Sequence, residues 1–479
     1  MPITKSPNHQ IAEFTVMPSR DSAIRLNDYY EVYTEASPEA AKAEGERCFN
    51  CGAAFCMPDS GYGQGCPIQN KIPEWNELVR LDRWKEAYHR LSETNPFPEF
   101  TSRVCPAPCQ DACILGINEK PVQIKGIERA IIDRAFDEGW VIPAVAPAPT
   151  GKRVAVIGSG PAGLAAADTL CRLGHEVTVF ERSDRPGGLL TYGVPNMKLD
   201  KSVVFRRIDL MMRSGVNFRL NANIGQDINP QQLTRDFDSV LLAVGAQRAR
   251  SLDVPGMDLP GVINAMDYLT ASARQHLDAS GPAPDLDAAG KDVIVIGGGD
   301  TGADCIGTAL RQGCRSLLNI TRREQPPDER PDTAPWPGPP NTYTLDYAHA
   351  EGVTRFGRDP REYQVQPLSM VGDTPIPSNP GGVSGVEVLN LADQTKSILP
   401  ADLVLLAIGF VGHDTPPLAA AFGLETDKRG RLTDQDYRSA NQNVYVAGDC
   451  RRGASLVVWA IHEGLAAARA IHRDLQSVV

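Results

Sequence analysis

The sequence of 479 residues has no apolar run long enough to cross a membrane, which takes roughly 18 residues in succession. Its start, Met1 to Gln10, is polar and lacks the apolar core of a secretory signal. An excess of positive charge is also missing, because 48 Lys and Arg stand against 59 Asp and Glu, a net charge of −11. A general nucleic-acid binder is therefore disfavoured. These absences predict a cytoplasmic protein that binds neither membranes nor nucleic acid.

The composition is that of an ordinary globular protein. Hydrophobic residues make up 42% and charged residues 22% of the chain, which excludes disorder as the main state. At roughly 150 residues per domain, the length predicts about three domains. The Pro- and Ala-rich stretch 143–149 is typical of a linker, and short strands alternate with helices after it. We expect a helical domain at 1–146, one nucleotide-binding domain at 147–254 and 402–479, and another at 255–401.

A glycine-rich loop follows the apolar strand predicted at 153–157. Gly158, Gly160 and Gly163 stand where a dinucleotide site needs a tight turn, close approach to a pyrophosphate, and close helix–strand packing. Glu181 stands at the end of the next predicted strand, where a carboxylate can hold ribose hydroxyls. The plainer interpretation is a structural turn beside a surface glutamate. The agreement of strand, glycines and acid favours dinucleotide binding.

The same pattern recurs in the second half of the chain, at Gly297, Gly299 and Gly302. The following strand ends at Arg322 and Arg323, and no acid stands where the first unit has one. Two arginines suit the 2′-phosphate of NADPH, which favours NADPH over NADH. The alternative is a solvated basic pair.

Two such units in one chain indicate two dinucleotides, a flavin and a nicotinamide, that meet to exchange hydride. A late strand at 443–447 supports this interpretation because it ends in Gly448 and Asp449. A carboxylate at that place can bind a ribityl hydroxyl of the flavin. The helix that follows could stabilise charge on a reduced flavin through its N-terminus.

Most of the cysteines are clustered near the start of the chain, and clustered thiols in a large chain without an export signal indicate metal or redox chemistry. The clustered ones are Cys48, Cys51, Cys56, Cys66, Cys105, Cys109 and Cys113. Their close spacing, with proline after Cys66 and after Cys105, is typical of iron–sulfur ligands. Zinc prefers paired CxxC or CxxC with histidines, whereas one CxxC occurs here and no histidine lies between Cys48 and Val79. Zinc and buried structural cysteines are the weaker alternatives.

Seven thiolates leave two four-iron clusters short of one ligand. Glu128 follows Cys113 in the sequence, on a helix predicted at 122–139 that returns along the cysteine loops. It is the candidate for the eighth ligand. The alternative is a solvated helix glutamate.

The sequence resembles the small (β) chain of glutamate synthase, and it is similar to the N-terminal half of dihydropyrimidine dehydrogenase. The matching motifs span most of the chain from residue 47. They are Arg47–Cys51, Gly65–Pro67, Arg103–Pro106, Pro186–Pro195 with Gly188 and Leu189, Gly297–Gly302 and Ala447–Asp449.

The resemblance implies FAD, an NAD(P)H site and two [4Fe–4S] clusters in a glutathione-reductase-like flavoprotein: two Rossmann-like α/β domains and an N-terminal, mainly helical iron–sulfur domain. It implies one cluster on Cys48, Cys51, Cys56 and Cys113. It implies the other on Cys66, Cys105 and Cys109, with Glu128 at the position of an oxygen ligand. Many members of the family lack a basic pair matching Arg322 and Arg323, so the preference for NADPH is argued from these residues alone.

The resemblance also implies the activity. Electrons would pass from NADPH through FAD and the clusters to the large (α) chain of glutamate synthase, which makes L-glutamate from L-glutamine and 2-oxoglutarate. The protein need supply no acid–base residue, because the cofactors perform the chemistry. Alternatives are a stand-alone NAD(P)H:acceptor oxidoreductase with the same cofactors, and a flavin disulfide reductase with a structural zinc domain. The last needs a close cysteine pair near the flavin, and no CxxC occurs after Cys113.

Overall fold

The computed structural model describes residues 16–57, 64–146, 148–246, 248–278, 286–372, 381–412, 416–441 and 443–477. The polar start considered above lies outside these residues. The described chain forms an N-terminal helical part and an α/β part with two five-stranded parallel sheets and a small antiparallel sheet. Both expected classes of structure, helical and Rossmann-like, are therefore confirmed.

In the described residues of the N-terminal part there are seven helices and a 3₁₀ turn at Ile114–Ile117. The helices are α1 Ser22–Arg25, α2 Pro38–Glu46, α3 Ile72–Arg80, α4 Trp84–Ser92, α5 Pro98–Val104, α6 Pro108–Asp111 and α7 Ile124–Asp137. Helix α2 begins at a serine N-cap followed by proline, since Ser37 Oγ accepts from Ala40 N–H at 3.1 Å and Pro38 is the first helical residue. The buried indole of Trp75 on α3 and the buried Ile127 and Ile131 on α7 belong to one core. This core holds the cysteine loops between the helices.

The first sheet has the strand order β13-β4-β1-β2-β3. Its strands are β1 Arg153–Ile157, β2 Glu176–Phe180, β3 Asn217–Arg219, β4 Ser239–Leu242 and β13 Val444–Val446. The helices of this part are α8 Pro161–Arg172, α9 Leu189–Tyr192, α10 Lys201–Arg213, α11 Pro230–Asp236, α15 Pro416–Ala421, α16 Asp449–Arg452 and α17 Val457–Gln476. The central strands are buried on both faces, as a parallel sheet between helices requires.

The second sheet has the order β5-β12-β6-β7-β8. Its strands are β5 Val262–Asn264, β6 Asp292–Gly297, β7 Ser316–Ile320, β8 Arg361–Glu362 and β12 Leu403–Ala407. Its helices are α12 Ala265–Asp278, α13 Gly299–Gln312 and α14 Tyr347–Phe356.

The boundary expected at residue 402 falls before β12 and needs correction. Strand β12 lies between β5 and β6, with Val404 opposite Val262 on one side and Ile294 on the other. Because both of its edges pair in the second sheet, β12 belongs to that sheet. The chain returns to the first sheet only after β12.

A three-stranded antiparallel sheet was not expected from the sequence. It consists of β9 Val365–Val371, β10 Gly385–Asn390 and β11 Lys396–Pro400. Its buried face, with Val386 and Val388, shares a core with Ile294 and Ile296 of the second sheet. The sheet therefore covers one face of the second nucleotide unit.

Buried ion pairs join the parts of the molecule. Arg25 in the N-terminal arm and Arg311 on α13 both bind Glu351 on α14, at 2.6 Å each, with all three side chains almost fully buried. Arg207 on α10 pairs with the buried Glu99 on α5 in the same way. Truncating one partner of such a pair leaves a buried charge unpaired. These contacts fix the helical part against both nucleotide units.

Candidate functional site

A cleft of about 380 Å³ opens at the carboxyl ends of the first sheet's strands. Parallel α/β sheets bind their ligands at this edge, and the volume is within the usual range for ligand sites. The site residues expected from the sequence that line it are Gly158, Gly160, Glu181, Gly188, Leu189 and Asp449. The structure thus brings together residues from four separate parts of the chain.

The first glycine loop is shaped by contacts that a side chain would prevent. Gly158 has φ +101°, and a Cβ there would lie 2.4 Å from the Ala243 carbonyl oxygen. A Cβ on Gly163 would lie 2.0 Å from the Gly158 oxygen. At Gly160 a Cβ would meet nothing within 4 Å, so its open side faces the cleft. The loop leaves the N-terminus of α8 free to bind an anion.

The Glu181 carboxylate bonds to two neighbouring loop segments at the base of the cleft. One carboxylate oxygen accepts from Ser159 N–H at 3.1 Å and from the Ser159 hydroxyl, and the other accepts from Ser183 N–H at 2.8 Å. The Ser159 hydroxyl oxygen also accepts from Gly187 N–H at 2.9 Å. Ser159 was missed by sequence reasoning, although its place between the first two glycines is the signal that could have found it.

The loop of Gly448 and Asp449 depends on a glutamate that sequence reasoning also missed. Glu463 on α17 is buried and accepts from Gly448 N–H at 2.9 Å. Its other oxygen binds Arg451 at 2.7 Å. Burial raises the pKa of the Asp449 carboxyl to about 7. The half-buried Asp449 therefore lies at the cleft with its charged form disfavoured by its surroundings.

The second glycine loop has different packing. A Cβ on Gly297 would lie 2.3 Å from the Ala407 oxygen, but one on Gly302 would come no closer than 3.7 Å to any atom. The close helix–strand packing expected at Gly302 is therefore absent. Asn319 on β7 donates to the Gly297 carbonyl at 2.6 Å and fixes the loop from below. Gly299 has φ +68° and open space beside it.

Arg322 and Arg323 come one residue after the end of β7, which pairs with β6, the strand that leads into the second glycine loop. Both are exposed. Parallel pairing of β6 and β7 brings their carboxyl ends to one edge of the sheet. Arg322 and Arg323 therefore lie at the edge of the second sheet that also carries the second glycine loop.

The two third-position glycines give a direct comparison. We expect Gly163→Ala to destabilise the protein by about 1–3 kcal/mol and to lower its flavin content, because the new methyl overlaps the loop backbone. Gly302→Ala adds a methyl at ordinary contact distance inside α13, where alanine favours the helix by up to about 1 kcal/mol. Urea unfolding and the flavin absorbance of each purified variant test this. Equal destabilisation by the two substitutions would contradict it.

The seven clustered cysteines and Glu128 line two neighbouring cavities in the helical part. The outer cavity is lined by Cys48, Cys51, Cys56 and Cys113. The inner cavity is lined by Cys66, Cys105, Cys109 and Glu128. Within the described part of the chain, no three His, Cys, Asp or Glu side chains are grouped so as to hold a single metal ion. A four-iron cluster takes one side chain per iron, so its ligands stand farther apart than those of one ion.

Glu128 is buried at the wall of the inner cavity and is not a solvated helix residue. Asn95 Nδ2 and Thr101 Oγ1 both donate to its Oε1, at 2.9 Å and 2.8 Å. No other hydrogen bond is made to this carboxyl by the described residues. Burial raises its pKa to about 7 and raises the pKa of the Cys66 and Cys105 thiols to about 12. A positive metal centre would offset the cost of burying negative charge, and it would bind the ionised carboxylate and thiolates.

The cleft and the cavities form a row. Helix α17 contributes Ala460 to the nucleotide cleft and Val458 to the inner cavity. Ile72 and Ile124 line both the inner and the outer cavity. The inner and outer cavities therefore share wall residues, and helix α17 lines both the nucleotide cleft and the inner cavity.

Comparisons with known proteins agree with this arrangement. The family model of dihydropyrimidine dehydrogenase domain II with a 4Fe-4S cluster matches residues 25–140. That of pyridine nucleotide-disulphide oxidoreductase matches 152–333 and 376–464. The chain is 47% identical over 470 residues to the glutamate synthase [NADPH] small chain of Bacillus subtilis, covering 95% of each chain. The chain belongs to the glutamate synthase small-chain family.

Another relative supports the same family assignment. The glutamate synthase [NADPH] small chain of Mycobacterium tuberculosis is 46% identical, over 95% of this chain and 93% of that one. Among solved structures, Mycobacterium tuberculosis FprA in complex with NADPH matches with a TM-score of 0.54 at 21% identity. The match covers 69% of this chain and 85% of that chain, and it supports the fold alone.

The nucleotide cleft offers no support for the alternative of a flavin disulfide reductase. Cys305 on α13 and Cys314 after it are buried in the core of the second unit. Among the described residues that line the nucleotide cleft there is no cysteine. Among the described residues, none of the helices combines the length and the apolar character that a membrane span requires.

Proposed function

We propose that this chain is the electron-input subunit of glutamate synthase. In this role it oxidises NADPH and delivers electrons to a large (α) chain that makes L-glutamate from L-glutamine and 2-oxoglutarate. The observation that supports the proposal most is the row of nucleotide cleft, inner cavity and outer cavity. FAD and two [4Fe–4S] clusters, when bound, would supply the change from hydride transfer to single-electron transfer. A cytoplasmic location belongs to the same proposal.

The proposed flavin site is the nucleotide cleft. Backbone N–H groups at the N-terminus of α8 would bind the pyrophosphate where Gly160 leaves room. Glu181 would hold the ribose hydroxyls while Ser159 and Ser183 keep its carboxylate in place. Asp449 would bind the ribityl chain, with its loop fixed by Glu463. Gly188 and Leu189 complete the wall of the cleft.

The proposed ligand sets follow the cavity walls. Cys48, Cys51, Cys56 and Cys113 would hold one cluster in the outer cavity. Cys66, Cys105, Cys109 and Glu128 would hold the other in the inner cavity. Two observations fit such groups: each cavity wall offers four donors, and the buried thiols have raised pKa values that a positive centre would lower.

The proposed nicotinamide site is the second glycine loop, with Gly297, Gly299 and Gly302 beneath the pyrophosphate. Arg322 and Arg323 would bind the 2′-phosphate of NADPH. The names of the bacterial relatives, glutamate synthase [NADPH] small chain, support this choice of nucleotide.

A fungal relative supports the large partner chain. Glutamate synthase [NADH] of Schizosaccharomyces pombe is 44% identical over 476 residues, but the match covers 22% of that protein. In that relative a region like this chain is joined to a much longer polypeptide. We propose that the present chain meets the equivalent part as a separate large chain.

Partial reactions test this function. We expect the purified chain with its cofactors to reduce ferricyanide with NADPH but to form no glutamate from glutamine and 2-oxoglutarate. Glutamate should appear when a purified large chain is added. Glutamate formed by this chain alone would overturn the proposal. Dye reduction with no response to the large chain would instead favour a stand-alone oxidoreductase. One relative carries such a name: the putative oxidoreductase AegA of Escherichia coli, at 35% identity.

A further inference from the structure

A buried asparagine in the wall of the outer cavity has no partner for its side chain. Asn76 lies on α3 and lines this cavity together with Ile72, one helical turn before it. The residue is 0% exposed, and among the described residues neither its Nδ2 nor its Oδ1 forms a hydrogen bond. Asparagine is a poor helix former, and burying an unpaired amide lowers stability. A group other than the surrounding protein must therefore bind this amide.

The packing around Asn76 shields it from solvent. Helix α2 crosses α3 so closely that a Cβ on Gly45 would lie 2.9 Å from the Asn76 carbonyl oxygen. Trp75 and Val79, on the same helix, are buried in the core of the helical part. Because Asn76 is shielded from solvent and lines the outer cavity, this cavity is the space that its amide faces.

The polar residues in the wall of the inner cavity are, in contrast, bonded to protein groups. Thr101 Oγ1 donates to the Glu128 carboxyl at 2.8 Å, and Asn70 Oδ1 accepts from a threonine hydroxyl at 2.6 Å. Lys125 Nζ donates to the Cys105 carbonyl oxygen at 3.1 Å. An amide with both polar atoms unbonded therefore distinguishes the outer cavity from its neighbour.

The outer cavity also offers few other groups that could stabilise negative charge. Apart from its cysteines, Arg47 and Asn76, the described residues that line it are apolar. Arg47 pairs with Glu44 at 2.7 Å and donates to the Pro121 carbonyl oxygen, so its charge is already balanced. The Asn76 amide is thus the donor in this wall that remains available to four cysteine thiolates and the group they would hold.

We propose that Asn76 Nδ2 donates a hydrogen bond to a sulfur of the iron–sulfur cluster in the outer cavity and thereby raises the reduction potential of that cluster. This inference rests on the proposed function, which includes a cluster there. The sulfur atoms of such a cluster accept hydrogen bonds and donate none, so the amide nitrogen is the atom that faces them. Reduction adds negative charge, and a donor to sulfur therefore favours the reduced cluster.

Two substitutions of Asn76 separate the loss of the donor from a change of packing. Asn76→Leu removes the amide and keeps a side chain of similar size, whereas Asn76→Ala removes the amide and leaves space. An effect of packing should differ between the two, but both lack the donor. The matched control is Ser102→Ala on α5, because Ser102 Oγ is also fully buried without a partner among the described residues. Ser102 is not among the described residues that line either cavity.

The measurement is a redox titration of the purified, cofactor-loaded chain, followed by EPR. In both Asn76 variants the equilibrium constant for reducing one cluster should fall about tenfold, which is about 59 mV for one electron. The other cluster, the flavin, and the iron and flavin contents should stay unchanged. Ser102→Ala should keep every potential. Resonance Raman spectra of the oxidised protein report the iron–sulfur stretching frequencies, and they should shift in the two Asn76 variants alone, even for a cluster that resists reduction.

The outcomes distinguish this inference from the function on which it rests. If the unchanged chain holds no iron–sulfur cluster, the proposed function fails. If it holds both clusters, and the two Asn76 variants keep the potentials and Raman spectra of Ser102→Ala, then Asn76 does not bind a cluster. A shift confined to the inner cluster, which the altered EPR signal of Glu128→Gln identifies, would also overturn the inference. Loss of iron from both variants would overturn it too, because Asn76 would then hold the cluster rather than set its potential.

Discussion

Glu128→Ala should lower the iron content from about eight to about four atoms per flavin while FAD remains bound. The carboxyl is buried at the inner cavity beside Cys66, Cys105 and Cys109, and its hydrogen bonds from Asn95 and Thr101 fall on Oε1 alone. Oε2 is left for an iron. Alanine removes the one oxygen donor of this cavity, and a cluster left with three thiolates lacks a protein ligand on its fourth iron and is less stable.

Iron and flavin assays on the purified variant, with EPR spectra of the reduced protein, measure this effect. Glu128→Gln keeps an oxygen at the same place and should retain the iron with an altered EPR signal, because ligand charge tunes the cluster. Glu138→Ala, at the exposed end of the same helix, is the matched control. A ratio near eight with unchanged spectra in Glu128→Ala would reduce Glu128 to a buried polar residue of the core.

The glycine loops and the cysteine loops could be predicted because their signals are local. A strand, three glycines and a helix follow one another within a few residues, so Gly158, Gly160 and Gly163 identify a nucleotide loop without knowledge of the rest. The cap at Ser37 and the cysteine spacing are equally local. The allocation of Cys113 to the outer set and of Glu128 to the inner set came from family resemblance, since spacing alone did not decide it.

Long-range pairing could not be predicted in the same way. Strand β12 has the same apolar pattern as the strands of the first sheet, and only its neighbours β5 and β6 assign it to the second sheet. The antiparallel sheet β9–β11 alternates weakly and was missed. The buried triad of Arg25, Arg311 and Glu351 joins residues far apart in the sequence, and charge composition does not reveal such partners.

Residues that act through another residue were also missed. Glu463 holds the loop of Gly448, and Asn319 holds the loop of Gly297, each from an element far along the chain. Neither stands in a motif, because any donor or acceptor reaching the same backbone group would serve. At Gly302 the sequence motif predicted too much. The glycine is present, but the helix and strand do not pack as closely there as this glycine would permit.

Replacing both Arg322 and Arg323 by alanine should reduce kcat/KM for NADPH by about 10²-fold and change that for NADH by less than about threefold. The two guanidinium groups are exposed beside the second glycine loop and can form charge-assisted hydrogen bonds to a 2′-phosphate. Each such bond contributes about 1.5–3 kcal/mol, and NADH has no phosphate there to lose. The loss should appear mainly in KM, because the phosphate lies far from the transferred hydride and binds equally before and during the reaction.

Steady-state ferricyanide reduction with each nucleotide measures the two constants on the isolated, cofactor-loaded chain. Arg358→Ala removes an exposed arginine of the same unit that pairs only with Glu362 among the described residues, and it should leave both nucleotides unaffected. Salt gives a second readout, because screening weakens exposed charge pairs and should raise KM for NADPH more steeply in the unchanged protein than in the double variant. Equal losses for NADPH and NADH would mean that the arginines support the fold of the loop rather than recognise the phosphate.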